Sequence, residues 1–409
     1  MKQEGDLARL TETFCVPNYR PLPVIVSRGR GVWVWDVYGK RYLDMSSCYS
    51  VLNFGHRHPR IEKAFIRQVK RLGVFSRAFH NDQLGPFSKE LADLCGQEVA
   101  IAPKVLPMNT GVEAVETTIK AARRWGYQVK HVEEEKAEII VCDNNFHGRT
   151  TTVIGFSSYE KYRDGFGPFT PGFPSIPFND IRLLEAAISP NTVAFLVEPI
   201  QGEGGVHIPW RGYLKKAQEI CKRNNVLLIA DEVQTGLGRT GLTFAYQHEL
   251  VYPPDLLILG KALGGGVYPV SAVVGSRNIL GLLGPGSHGS TFGGNPLACA
   301  VAREAIRVLV DEKLSENAWQ VGYYFLQRLK ELENPSIKEV RGRGLMVGIE
   351  LRKEVDTARS FCERLLNEGI LANESRDCVV RLTPPLTITK KEIDWAVERI
   401  KRVLKDNAV

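Results

Sequence analysis

Four short apolar runs, each ending in a charged or glycine-rich cluster, constrain this chain more than any other feature. EIIVC (Glu138–Cys142) runs into DNNFHGRT, and VAFLV (193–197) into EPIQGEGG. VLLIA (226–230) runs into DEVQTGLGRTG, and LLIL (Leu256–Leu259) into GKALGGG. Runs this short and this rich in aliphatic residues read as strands buried on both faces. Helical spacing lies between them: Val112, Val115, Ile119 and Ala122 fall on one face, as do Leu214, Ala217 and Ile220. A fifth run at 270–274 follows. The alternation predicts an α/β fold on a mostly parallel sheet. Ligands of open α/β sheets bind beyond the carboxyl ends of the strands, so the four clusters are expected to assemble one site. Ordinary turns are polar too, but four such clusters in succession exceed what turning requires.

A chain of 409 residues is too long for a single core, and its pattern changes near residue 295. A long helical stretch from Pro296 leads to RGRGLMVGIEL, then to a second helix, a short strand in VVRLTPPL and an amphipathic helix from Lys390. We expect a large domain over 51–294, a smaller α+β domain over 295–409, and an N-terminal segment, 1–50, packed with the smaller one. The net charge of +7 is spread along the chain, without the clustered basic face that nucleic acid requires. No apolar run reaches membrane-spanning length. The N-terminal stretch lacks an apolar signal core and carries Glu4, Asp6 and Glu12, so a cytoplasmic location is expected. The eight cysteines are far apart, as free thiols of a reducing compartment would be. His56 and His58 have no further ligands nearby in sequence, and no metal is expected.

Chemistry concentrates at Lys261 and Asp231. Lys261 stands between an apolar strand and a glycine run that leaves room for a bulky ligand. Asp231 closes the preceding strand. Pyridoxal phosphate needs such a lysine for its Schiff base and such an acid to keep its pyridine nitrogen protonated. The freed lysine can then move a proton as base and acid. Thr110, Gly111 and Val112 begin an amphipathic helix, where unpaired amides and the helix dipole favour a phosphate.

NTGVEAVE, NFHGRT, VEPIQGEGGV, ADEVQTGLGRTG, LGKALGGGVYPVSAV and HGSTFGGNPLACA together resemble the class III, or ω-, aminotransferases over nearly the whole chain. The resemblance implies the type I pyridoxal-phosphate aminotransferase fold, with a large mostly parallel-sheet domain and a smaller α+β domain. It implies Lys261 as the Schiff-base lysine and Asp231 as partner of the pyridine nitrogen. Gln234 would contact the ring oxygen and Phe146 would stack on the ring. Gly111 and Val112 would bind the phosphate, with Ser290 and Thr291 reaching it from the other subunit of a homodimer or a dimer of dimers.

Within the class, NYRPLPV, SRAFHNDQLGPF, DGFGPFTPGF and VRLTPPL are most similar to the ornithine aminotransferases. That similarity implies δ-transamination of L-ornithine with 2-oxoglutarate. Arg149 would bind the α-carboxylate, Tyr19 would contact the α-amino group, and Tyr49 would line the pocket. Glu203 would mask Arg381 until the keto acid, with its two carboxylates, releases it. N-acetylornithine, 4-aminobutyrate or lysine as amino donor, or an aminomutase reaction, are the alternatives. The chain departs from the ornithine pattern at Leu52, Phe54, His147 and Gly204, all expected near the substrate.

Overall fold

The computed structural model describes residues 2–96 and 103–405. Three N-terminal strands, β1 (Val26–Arg30), β2 (Trp33–Asp36) and β3 (Arg41–Asp44), form an antiparallel meander. The central sheet follows: β4 (Pro103–Met108), β5 (Glu138–Cys142), β6 (Ser175–Ile176), β7 (Thr192–Val197), β8 (Leu227–Asp231), β9 (Leu256–Leu259) and β10 (Ser271–Ser276). Their spatial order is β4-β10-β9-β8-β7-β5-β6. Pairings from β9 through β6 are parallel, whereas β10 runs antiparallel to both β4 and β9.

Strand composition follows from burial. In β7, Val193, Ala194 and Leu196 pack into one apolar layer while Phe195 and Val197 pack into the other. The same division separates Ile139 and Val141 from Ile140 and Cys142 in β5. Both sheet faces are therefore dry, and each side chain so buried contributes about 1.5–3 kcal/mol. The helix Gly111–Gln128 lies close on one face: a methyl group at Gly126 would stand 2.2 Å from Val193 Cγ1. Sequence reasoning missed β4, whose PKVLPM carries two prolines. It tolerates them because it is the sheet's edge strand, paired only with β10.

The C-terminal part holds β11 (Ile337–Arg343), β12 (Met346–Leu351), β13 (Ile370–Leu371), β14 (Asn373–Ser375) and β15 (Val379–Leu382). An antiparallel sheet runs β11-β12-β15-β14, and β13 pairs in parallel with β3. The buried Arg239 clips the parts together, its guanidinium donating to Leu345 O at 2.8 Å, Pro384 O at 2.6 Å and Asn53 Oδ1 at 2.6 Å. His56 and His58 diverge to separate carboxylates, Asp44 at 2.8 Å and Glu312 at 3.2 Å. Five of the cysteines are buried, and Cys15 and Cys48 are exposed. Among the described residues no helix is long and apolar enough to cross a membrane.

Candidate active site

The carboxyl ends of β5, β7, β8 and β9 converge, and glycines allow their loops to meet. A methyl group at Gly111 would lie 2.9 Å from Val233 Cγ1, and one at Gly260 would lie 3.3 Å from that atom and 3.5 Å from Gly111 Cα. The helix start, the loop after β8 and the lysine turn after β9 are thus packed backbone against side chain. At Gly148, with φ of +130°, a methyl group would stand 2.3 Å from Val112 Cγ2. That contact brings the Phe146 loop onto the same helix start.

The helix start leaves backbone donors free for an anion. Thr110 caps it, its amide donating to Glu113 Oε2 at 2.6 Å, and Ser271 Oγ donates to Thr110 O at 2.7 Å. The amides of Gly111 and Val112, one position further in, have no intrahelical acceptor. They face the positive end of an 18-residue helix. Ser290 Oγ accepts from Asn109 Nδ2 at 3.0 Å in the same chain, beside this cap. Thr291 is exposed on the single chain.

Asp231 closes β8 and is 5% exposed. Its Oδ1 accepts from the Val233 amide at 3.0 Å, and its Oδ2 lies 2.7 Å from His147 Nδ1. Burial would lower the His147 pKa, but the Asp231 carboxylate outweighs it and raises it above the ordinary value. His147 Nε2 is buried without a partner. Glu198, at the end of β7, accepts from the Phe146 amide at 2.9 Å. Burial pushes the Glu198 carboxyl up to about 7, opposed by His147 and reinforced by Asp231. Lys261 takes a left-handed backbone, φ +43°, that turns it inward from β9. Burial pushes its amine below the ordinary lysine range, with Glu203 opposing and Arg381 adding to the shift.

Around this centre lie the other residues read from sequence. Gln234 Nε2 donates to Tyr49 O at 3.4 Å. A methyl group at Gly202 would strike Gln234 Oε1, so that glycine is what admits the side chain. Tyr49 sits in a turn whose residues 47–50 are all left-handed, with its ring 5.3 Å from the Arg381 guanidinium. Tyr19 is 73% exposed at the rim, and its phenol adds to the raised pKa of Tyr49, which burial dominates. Arg149 stacks over Tyr162 at 3.6 Å and stands 5.5 Å from the Phe146 ring.

Arg381 is 1% exposed, and its Nη1 lies 2.7 Å from Glu203 Oε1. Glu203 thus engages Nη1, while the other terminal nitrogen, Nη2, is buried without a partner. A buried guanidinium with spare donors is ready for another carboxylate.

Phe54 departs from expectation. It lies 2% exposed in the core rather than on the substrate wall, while Leu52 rests against Gly266. Sequence reading missed Glu198, Tyr162 and Arg376, and it placed His147 with the substrate pocket, whereas folding sets that ring against Asp231. Glu198 had a signal, being the first charged residue after an apolar strand. Tyr162 and Arg376 had none, because only folding brings their loops to the site.

The donor set fits pyridoxal phosphate: paired helix amides for a phosphate, a buried carboxylate for a protonated ring nitrogen, and a lysine whose amine is held below its usual range.

Comparison with known proteins agrees with this geometry. Residues 14–404 match the family model for aminotransferase class-III. The chain is similar to the ornithine aminotransferase of Geobacillus sp. (strain WCH70), 56% identical over 98% of this chain and 99% of that protein. Among solved structures, the ornithine aminotransferase of Toxoplasma gondii ME49 superposes with a TM-score of 0.96 at 45% identity, covering 99% of this chain and 96% of that one. The acetylornithine aminotransferase of Elizabethkingia anophelis superposes with a TM-score of 0.90 at 49% identity, covering 98% and 99%. A match over nearly the full length, joined to a lysine, aspartate and helix start that suit the cofactor, places the chain among the class-III aminotransferases, which are pyridoxal-phosphate enzymes.

Proposed function

We propose that the protein transfers the δ-amino group of L-ornithine to 2-oxoglutarate, giving glutamate and glutamate 5-semialdehyde, which cyclises to pyrroline-5-carboxylate. The observation that carries this reading is the Glu203–Arg381 ion pair at 2.7 Å, with Arg149 stacked on Tyr162, a ring that also feels Glu203. Two arginines, one of them masked, suit an enzyme that must accept one carboxylate in its first substrate and two in its second. The ornithine aminotransferases at 54–57% identity support the same substrate.

When bound, pyridoxal phosphate supplies a protonated ring that withdraws electrons from the substrate carbon bearing the amino group. Asp231, itself braced by His147, would hold the proton at the ring nitrogen. Gln234 would face the ring oxygen and Phe146 its face, while the Gly111 and Val112 amides would hold the phosphate, joined by Ser290 and Thr291 of a second copy in a homodimer. Lys261, its amine pKa lowered by burial, would take the proton from the δ-carbon and hold it for its later return. Arg149 fixes the α-carboxylate of ornithine and Tyr19 its α-amino group, with Tyr49 alongside. The length of ornithine then carries its δ-amino group to the reacting centre. In the second half-reaction Arg381 leaves Glu203 to bind one carboxylate of 2-oxoglutarate. A cytoplasmic location suits these small, soluble substrates.

The similarity to the acetylornithine enzyme favours N-acetylornithine as the second reading. A site that reads a free α-amino group rejects its amide strongly, so the two readings separate cleanly. The purified yellow protein, mixed with L-ornithine and no keto acid, should lose its visible absorbance and release the cyclising semialdehyde. Bleaching by N-acetylornithine alone would overturn the assignment.

A further inference from the structure

The gate just proposed, on which this inference rests, leaves a charge to be placed. Once Arg381 turns to the keto acid, the Glu203 carboxylate, only 20% exposed, has lost its neutralising neighbour. A second cation stands close by. Arg376 lies on the turn between β14 and β15, at φ +63°. The preceding Ser375 donates its Oγ to the carbonyls of both Gly202 and Glu203 at 3.0 Å, so this turn is stapled to the backbone of the gating residue.

The Arg376 guanidinium lies 4.4 Å from the centre of the Tyr159 ring. Tyr159 meets Tyr162 edge to face at 4.7 Å, and Arg149 covers Tyr162. The two arginines therefore flank a tyrosine pair. Stacking engages the flat face of a guanidinium and leaves its N–H edge available to a carboxylate. Among the described residues Arg376 makes no ion pair. Its charge reaches the gate: burial would raise the Glu203 carboxyl, but Arg381, Lys261 and Arg376 together bring it below the ordinary range. The Tyr162 phenol also feels Arg149, Glu203 and Arg376, which places the three charges around one ring.

We propose that Arg376 is the cation that receives Glu203 when Arg381 is released, so that the gate has two seats, one at each arginine. Arg149 is unsuited to the task because it is occupied by the substrate's other carboxylate. Arg376 acts through Glu203 and is thus a positioning residue, specific to the keto-acid half of the cycle.

The test uses the holoenzyme, with the two half-reactions followed separately in single turnovers. Arg376→Ala should lower the rate constant ratio kcat/KM for 2-oxoglutarate about tenfold, through KM, and that for ornithine less than twofold. Equilibrium binding of glutarate, a dicarboxylate without a keto group, should weaken about tenfold as well. Arg376→Lys should restore most of both. In a Glu203→Gln background, where no charge needs a second seat, Arg376→Ala should change neither. A loss that persists with Glu203→Gln means that Arg376 touches the substrate directly and overturns the proposal. So does an equal loss in both half-reactions. If Glu203→Gln alone leaves the balance of the two half-reactions unchanged, the gate itself fails, whatever Arg376 does.

Discussion

His147 Nδ1 lies 2.7 Å from Asp231 Oδ2, and both side chains are buried. The Asp231 carboxylate is thereby oriented by a neighbour whose pKa burial would lower but which that carboxylate raises above the ordinary histidine range. A carboxylate fixed from behind points only one way, which is what a ring nitrogen in a set position requires.

His147→Asn should weaken both stability and cofactor binding. Loss of a buried charged hydrogen bond costs about 1.5–3 kcal/mol. Because Asp231 raises the folded-state pKa of His147 above its value in the unfolded chain, the contribution is complete below about pH 6.5. It is lost as pH rises through the folded value. Urea unfolding of the cofactor-free protein should show a larger difference between wild type and variant at pH 6 than at pH 9. A difference that grows with pH would sink the assignment.

Glu198→Gln should stabilise the protein on the alkaline side. Burial raises this carboxyl to about 7, so the folded state keeps a proton that the unfolded chain releases near pH 4.5. Wild-type stability from this group therefore falls as pH climbs from 4.5 through 7. Glutamine has no proton to lose, and its amide oxygen can still accept the Phe146 amide. The variant should gain on wild type by about 3 kcal/mol between pH 4.5 and 8, read from unfolding midpoints. No change in the gap across that range would refute the burial argument.

Arg149 separates charge from shape. Arg149→Lys keeps the charge but loses both the forked contact and the stack on Tyr162, and should raise KM for ornithine about tenfold. Arg149→Ala should raise it about a hundredfold, with a far smaller effect on the rate at saturation. Steady-state kinetics decides this, and an unchanged KM in the alanine variant would remove Arg149 from the substrate site.

Asn53→Leu tests the clip between the chain's parts. Asn53 accepts from Arg239 at 2.6 Å and donates to Leu237 O at 2.9 Å, and burial already pushes the Arg239 guanidinium down to about 9. Removing the acceptor leaves a buried charge short of a partner and should destabilise by about 2–4 kcal/mol. Denaturant unfolding would measure it, and a change under about 0.5 kcal/mol would show that the site relaxes without cost.

Much of the central sheet was legible because its signals are local. The apolar runs at β5, β7, β8 and β9 lie within a residue or so of where they were expected, and Asp231 and Lys261 follow from their places at strand ends. Direction was not legible: a strand buried on both faces shows the same apolar run whichever way it points, and β10 proves antiparallel to its neighbours. Nor was β4 legible, since its prolines argue against a strand until its edge position is known.

What the sequence determined by itself was the kit: a lysine and an aspartate at successive strand ends, a capped helix start and enough arginines for two carboxylates. The tertiary structure decided which members of that kit meet. His147 and Asp231 are 84 residues apart, and the turn that carries Arg376 is stapled to the Glu203 carbonyl by Ser375. Helix and strand periodicities report on near neighbours along the chain. A charge pair made across loops is chosen by how those loops pack, and that choice is written in no single stretch of the sequence.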